Sequence, residues 1–122
     1  MKRILNVEND RILSFLLEKQ IKRLEYKVVG RVVSGASAID SVEELDPDFI
    51  LMDIKLEGDM DEIQATKTVC TFSNAPFVYQ TGNSDSNTRQ RAKETKPFKY
   101  FLKPIDSGVL GQVLSSALAK AS

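Results

Sequence analysis

Asp53 closes the apolar run Phe49-Ile50-Leu51-Met52 and is followed at once by Ile54-Lys55-Leu56-Glu57-Gly58. A carboxylate at the end of a strand of large apolar residues should stand at the carboxyl edge of a sheet, where open α/β folds place their ligands. Three other strand-like runs end in reactive side chains. Ile4-Leu5-Asn6-Val7 leads into Glu8-Asn9-Asp10, Phe77-Val78-Tyr79-Gln80 into Thr81, and Tyr100-Phe101-Leu102 into Lys103-Pro104. Acids, a hydroxyl and an amine at matching strand ends form a constellation rather than a scatter.

The chain has no histidine. That removes Ser-His and Cys-His nucleophile pairs and the commonest zinc ligand. Its chemistry therefore rests on carboxylates, hydroxyls and amines, with a hard cation as the natural helper. The lone Cys70 has no partner for an internal disulfide, which makes a reducing, cytoplasmic setting the default expectation. Without a histidine to activate it, Cys70 is expected to be a small buried apolar residue rather than a nucleophile.

To hold the strand ends in line, the rest of the sequence must supply a sheet and its covering helices. Its 122 residues suit one domain, residues 1–122, able to bury a single core. Strand-like runs at residues 3–7, 27–33, 49–53, 77–81 and 99–102 alternate with helix-like segments, a pattern that gives a parallel sheet covered on both faces. The first helix carries Leu13, Leu16, Leu17, Gln20, Ile21 and Leu24 as a mostly apolar stripe, and the last buries Val109, Leu110, Val113, Leu114, Ala117 and Leu118. Ser34 or Ser37 caps the second helix, Ser84 the fourth, and Gly58 permits a turn in the loop after Asp53. Asn6 and Gln80 do not fit a simple core, since both are amides inside strands that should be covered on both faces. Lys+Arg and Asp+Glu both total 17, so no basic excess supports direct nucleic-acid binding. No apolar run is long enough to cross a bilayer.

Taken in order, Ile4-Leu5-Asn6-Val7-Glu8-Asn9-Asp10, Ile50-Leu51-Met52-Asp53-Ile54-Lys55-Leu56, Pro76-Phe77-Val78-Tyr79-Gln80-Thr81-Gly82 and Tyr100-Phe101-Leu102-Lys103-Pro104 resemble the successive signatures of the response-regulator receiver domain. The resemblance covers nearly the whole chain. It implies an α/β, (βα)5 flavodoxin-like three-layer sandwich with a five-stranded parallel sheet in the order 2-1-3-4-5. It also implies a phosphoacceptor signalling module of a two-component phosphorelay, not an enzyme beyond its own phosphorylation and dephosphorylation. The phosphoryl group would come from a partner histidine kinase or histidine phosphotransfer protein.

Carried over by motif, Asp53 is the phosphoacceptor. Glu8, Asn9, Asp53 and the backbone carbonyl of Lys55 hold Mg2+, Thr81 is the switch hydroxyl, Lys103 the phosphate-contacting amine and Tyr100 the aromatic switch. The resemblance also suggests a cis Lys103-Pro104 bond, and a docking or homodimer surface on the fourth helix, fifth strand and fifth helix. Asp85, Arg89, Arg91, Lys93 and Glu94 make that region charged. Taken singly, Thr81 and Lys103 are an ordinary strand threonine and a surface lysine, and Tyr100 an ordinary core aromatic.

Asn9 departs from the family pattern, which has an acid there. A unit charge at about 4 Å and an effective dielectric near 20 is worth roughly 4 kcal/mol before compensation. Mg2+ binding is therefore expected to be weaker than in a typical receiver, and a receiver fold turned phosphorylation-impaired interaction module is the alternative reading. Asp10 reads as the cap of the first helix, with a water-mediated metal contact as the sharper alternative. Asp10, Lys55 and Asn83 are candidate modulators of the site. The protein either acts alone or is cut from a longer one.

Overall fold

The central strands are short apolar runs, and each connection between described strands passes through a helix that returns the chain to the same edge. In the computed structural model, β1 (Arg3–Val7), β2 (Lys27–Val32), β3 (Phe49–Asp53), β4 (Phe77–Thr81) and β5 (Lys99–Leu102) alternate with α1 (Arg11–Arg23), α2 (Gly35–Leu45), α3 (Glu62–Val69), α4 (Ser86–Glu94) and α5 (Ser107–Lys120). The structure describes residues 2–8, 10–54, 62–82, 86–103 and 105–120. Asn9, Lys55, Gly58, Asn83, Ser84, Asp85 and Pro104 lie outside them, and so do the expectations attached to those positions. The five strands are parallel in the order β2-β1-β3-β4-β5, the flavodoxin-like arrangement expected from the sequence.

Alternation along the strands sorts the core into two layers. Ile4, Phe49, Leu51 and Val78 pack with Leu17 and Ile21 of α1 and with Leu110, Val113, Leu114, Ala117 and Leu118 of α5. Leu5, Val7, Ile50, Met52, Phe77 and Tyr79 pack on the opposite face with Ala38 and Val42 of α2, Ile63 and Val69 of α3 and Ala92 of α4. The central strands β3 and β4 are buried at every position, as expected for a parallel sheet covered on both sides.

The helix starts are fixed by side chains. Asp10 Oδ1 accepts hydrogen bonds from the Ile12 and Leu13 amides at 2.9 and 3.1 Å, so Asp10 is the α1 cap. Ser34 caps α2 by accepting from Ser37 N–H at 3.1 Å. Asp106 Oδ2 accepts from the Gly108 and Val109 amides at 3.1 and 3.2 Å at the start of α5.

Several expectations fail at the helix surfaces. Leu16 and Leu24 of the expected α1 stripe are 49% and 36% exposed, and Phe15 and Ile12 beside them are also open. The buried face instead includes Ser14, whose hydroxyl accepts from Asn6 Nδ2 at 3.3 Å. Val109 stands partly clear of α5's packed face, and Val33 lies beyond β2 in solvent. Cys70 is exposed rather than buried, because α3 ends at Val69 and the thiol falls in the turn that follows. Partial covering by its neighbours pushes the thiol pKa upward, which makes it a poorer nucleophile.

Candidate functional site

The parallel register lines up the carboxyl edge. Asn6, Leu51 and Val78 form one row on the α1/α5 face, through the pairs Asn6↔Leu51 and Leu51↔Val78. Two residues further on, Asp53 pairs with Gln80, and Glu8 leaves β1 beside them. Thr81 and Tyr100 have the opposite parity and share their face with Tyr79. The sheet thus divides the expected residues: Glu8 and Asp53 sit over α1 and α5, while Thr81 and Tyr100 lie toward α4.

Lys103 joins the acids. Its ammonium lies 2.8 Å from Asp53 Oδ1 and 2.9 Å from Glu8 Oε1. Its position is set by the end of the β4–β5 ladder, where Lys103 N–H donates to the Thr81 carbonyl at 2.8 Å. Glu8 has no exposed side-chain surface and Asp53 only 2%. The other Glu8 oxygen, Oε2, accepts from Asp10 N–H at 3.0 Å. Neither Asp53 oxygen accepts a hydrogen bond of good geometry among the described residues, so the Lys103 approach is an ion pair.

Burial is the largest influence on Asp53 and raises its pKa from 3.8 to about 6. Contact with the Lys103 ammonium opposes this, while the Glu8 carboxylate adds to it by repulsion and by accepting from a protonated Asp53. For Lys103, burial acts to lower the pKa, but the Asp53 and Glu8 carboxylates outweigh it and raise it. Two buried carboxylates around one ammonium leave an excess of negative charge and unsatisfied oxygen. That donor set suits a small hard divalent cation such as Mg2+. Among the described residues no group of three or more acidic or cysteine side chains could hold a metal alone, so waters or the expected ligands Asn9 and Lys55 would have to complete the shell.

Gln80 is a site residue that the strand-end motifs did not pick out. It is 1% exposed, and its Nε2 donates to Glu8 Oε1 at 3.5 Å. The signal was an amide in a strand covered on both faces, directly before Thr81. Thr81 is buried at the end of β4. Tyr100 is half buried, its ring edge-on to Tyr79 at 6.3 Å and beneath the Arg89 guanidinium at 5.5 Å. Its hydroxyl oxygen is already out of solvent. An open depression of about 360 Å³ is lined by Glu8, Arg11, Ser14, Phe15, Arg31 and Val33.

Residues 4–115 match the response regulator receiver domain family. The chain belongs to that family. A transcriptional regulatory protein, PdtaR of Mycobacterium tuberculosis, is 25% identical over 98% of this chain and 58% of its own length. Another, ZraR of Klebsiella oxytoca, is 31% identical over 95% of this chain but only 26% of its own length. The chain therefore spans at most about three-fifths of these curated relatives.

The signal receiver domain of a modulated diguanylate cyclase from Desulfovibrio desulfuricans G20 superposes with a TM-score of 0.92 at 31% identity, covering 99% of this chain and 96% of that one. The receiver domain of sensor histidine kinase PA1611 from Pseudomonas aeruginosa PAO1, with a magnesium ion coordinated in its active-site cleft, superposes at 0.86 with 26% identity, covering 97% and 98%. Receiver domains are signalling modules that generally bind Mg2+ and interact with histidine kinases or phosphotransfer proteins, and phosphoacceptance is their general function. No helix among the described residues is long and apolar enough to cross a membrane.

Proposed function

We propose that this receiver accepts a phosphoryl group onto Asp53 from the histidine of a partner kinase or phosphotransfer protein. The observation that carries the reading is the Lys103 ammonium held within 2.9 Å of both Asp53 and Glu8 at the carboxyl edge. A carboxylate approaching a phosphoryl group brings two anions together, so the work is positioning and charge neutralisation. An Asp53 oxygen forms the new bond to phosphorus while the bond from phosphorus to the donor imidazole nitrogen breaks, and the electron pair stays with the imidazole. Lys103 passes from carboxylate to phosphoryl oxygen, and Thr81 donates its hydroxyl hydrogen to another. Mg2+ would be held by Glu8, Asp53, Asn9 and the Lys55 carbonyl, and would supply further charge neutralisation there.

Thr81 and Tyr100 lie toward α4, so a change at Thr81 is felt where Arg89 caps the Tyr100 ring. Leu102, 54% exposed, and Val109 give the α4-β5-α5 surface apolar ground for docking or homodimerisation. The charge balance and the lone, unbridged cysteine favour a cytoplasmic protein that does not itself touch nucleic acid. Lys103 already offsets part of the Glu8 and Asp53 charge, and with the neutral Asn9 this supports the second reading, an interaction module that uses metal poorly.

Incubation with Mg2+ and a small acyl phosphate, followed by intact-mass measurement, separates the two. Gain of one phosphoryl group, abolished by Asp53→Asn, is expected. No adduct at any Mg2+ concentration would favour the interaction module.

A further inference from the structure

Glu8 is a fully buried carboxylate whose Oε1 is shared between Lys103 at 2.9 Å and Gln80 Nε2 at 3.5 Å, while Oε2 is held by Asp10 N–H at 3.0 Å. When a divalent cation displaces Lys103 from the carboxylates, or Lys103 turns toward a phosphoryl oxygen, Oε1 loses its charged partner. Gln80 is then the described donor that remains on that oxygen. An apolar residue of similar size would fill the same space without the cost of burying an amide. The position of Gln80 opposite Asp53 in the β3–β4 register puts its side chain on the α1/α5 face with the acids. At 3.5 Å the contact is long, as hydrogen bonds of such sites often are before the complex forms.

We propose that Gln80 is a positioning residue for Glu8, keeping that carboxylate aimed at the divalent cation when Lys103 leaves it. The inference rests on the phosphoacceptor reading above and adds Gln80 to it. Its importance is increased by Asn9, because Glu8 is the only charged member of the expected pair.

The test is Mg2+ binding by calorimetry on the unphosphorylated protein, with phosphorylation by a small acyl phosphate measured in parallel. Gln80→Met keeps the bulk and removes the donor, and Gln80→Asn keeps the amide but draws it out of reach. Each is expected to weaken Mg2+ binding about tenfold, the usual lower range for a partner that orients a ligand. Tyr79→Phe serves as the structural control, since it removes a buried hydrogen bond from the same strand on the opposite face. It should lower stability while leaving the Mg2+ dissociation constant unchanged. Should Gln80→Met fail to fold, Gln80→Asn decides. Mg2+ affinity in a folded Gln80 variant equal to wild type overturns the positioning role alone, if the wild type is labelled at Asp53. A wild type that neither binds Mg2+ nor is labelled overturns both readings.

Discussion

Lys103 is bound to Asp53 at 2.8 Å as a cation set between two acids, since the same ammonium lies 2.9 Å from Glu8. Pairing of this kind is costly to break from one side, because it strands buried charge. Lys103→Met is therefore expected to destabilise the protein at neutral pH by roughly 2–4 kcal/mol in urea unfolding. Mg2+ should recover more stability in this variant than in wild type, by taking over the neutralisation. Equal Mg2+ shifts in the two proteins would show that the metal and the lysine do not serve the same carboxylates.

Asp53→Asn should have the opposite effect on stability. Burial raises the Asp53 pKa from 3.8 to about 6, a value that already includes the attraction of Lys103. Between those values the folded state holds more protons than the unfolded state, so this group lowers stability as pH rises through the window. Above pH 6 the whole cost is present, and below about 3.8 none of it is. At about 1.4 kcal/mol for each tenfold in proton affinity, removing the charge should stabilise the protein by roughly 2–3 kcal/mol at pH 8. The gain should shrink steadily as the pH falls below 6. A variant equally stabilised at pH 8 and pH 4 would rule out this origin.

Tyr79→Phe probes the attachment of α4. Thr95 Oγ1 donates its one hydrogen to the Ala92 carbonyl at 2.6 Å, so the 2.7 Å contact with Tyr79 has the phenol as donor. Removing that phenol leaves Thr95 still bonded to α4, and the loss should sit near 1 kcal/mol rather than the larger cost of an orphaned group. Thermal unfolding gives the size, and a loss above about 3 kcal/mol would mean that the phenol holds more than this one bond.

The strand-end chemistry was legible because parallel β/α architecture forces every strand to finish on one edge, so Glu8, Asp53, Thr81 and Lys103 had to fall at that edge, where Lys103 joins the two acids. The face of α1 was less so. With Ile12, Leu13, Phe15, Leu16, Leu17 and Ile21 apolar, the helix offers more than one candidate buried stripe. The choice was made by Asn6, which needed Ser14 as a partner and turned Leu16 outward. Gln80 was visible only as an anomaly, since its meaning depends on a carboxylate 72 positions away. Cys70 was misplaced because one residue at a helix end decides between core and solvent.

Asn9→Asp tests how far the expected acidic pair limits the site. The neutral residue lacks a charge worth roughly 4 kcal/mol at about 4 Å before water and neighbours compensate. Even a third of that is about tenfold in affinity, so Asn9→Asp should tighten Mg2+ binding by tenfold or more in calorimetry. Labelling at Asp53 by an acyl phosphate should then reach its half-maximum at correspondingly lower Mg2+. The added carboxylate also adds repulsion to a site where Glu8 already raises the Asp53 pKa, so the metal-free variant should be less stable than wild type near pH 8. Tighter binding together with lower metal-free stability is the pattern expected of an acid that faces the cation. Unchanged Mg2+ affinity would place residue 9 away from the metal and leave Glu8 and Asp53 as the charged ligands that matter.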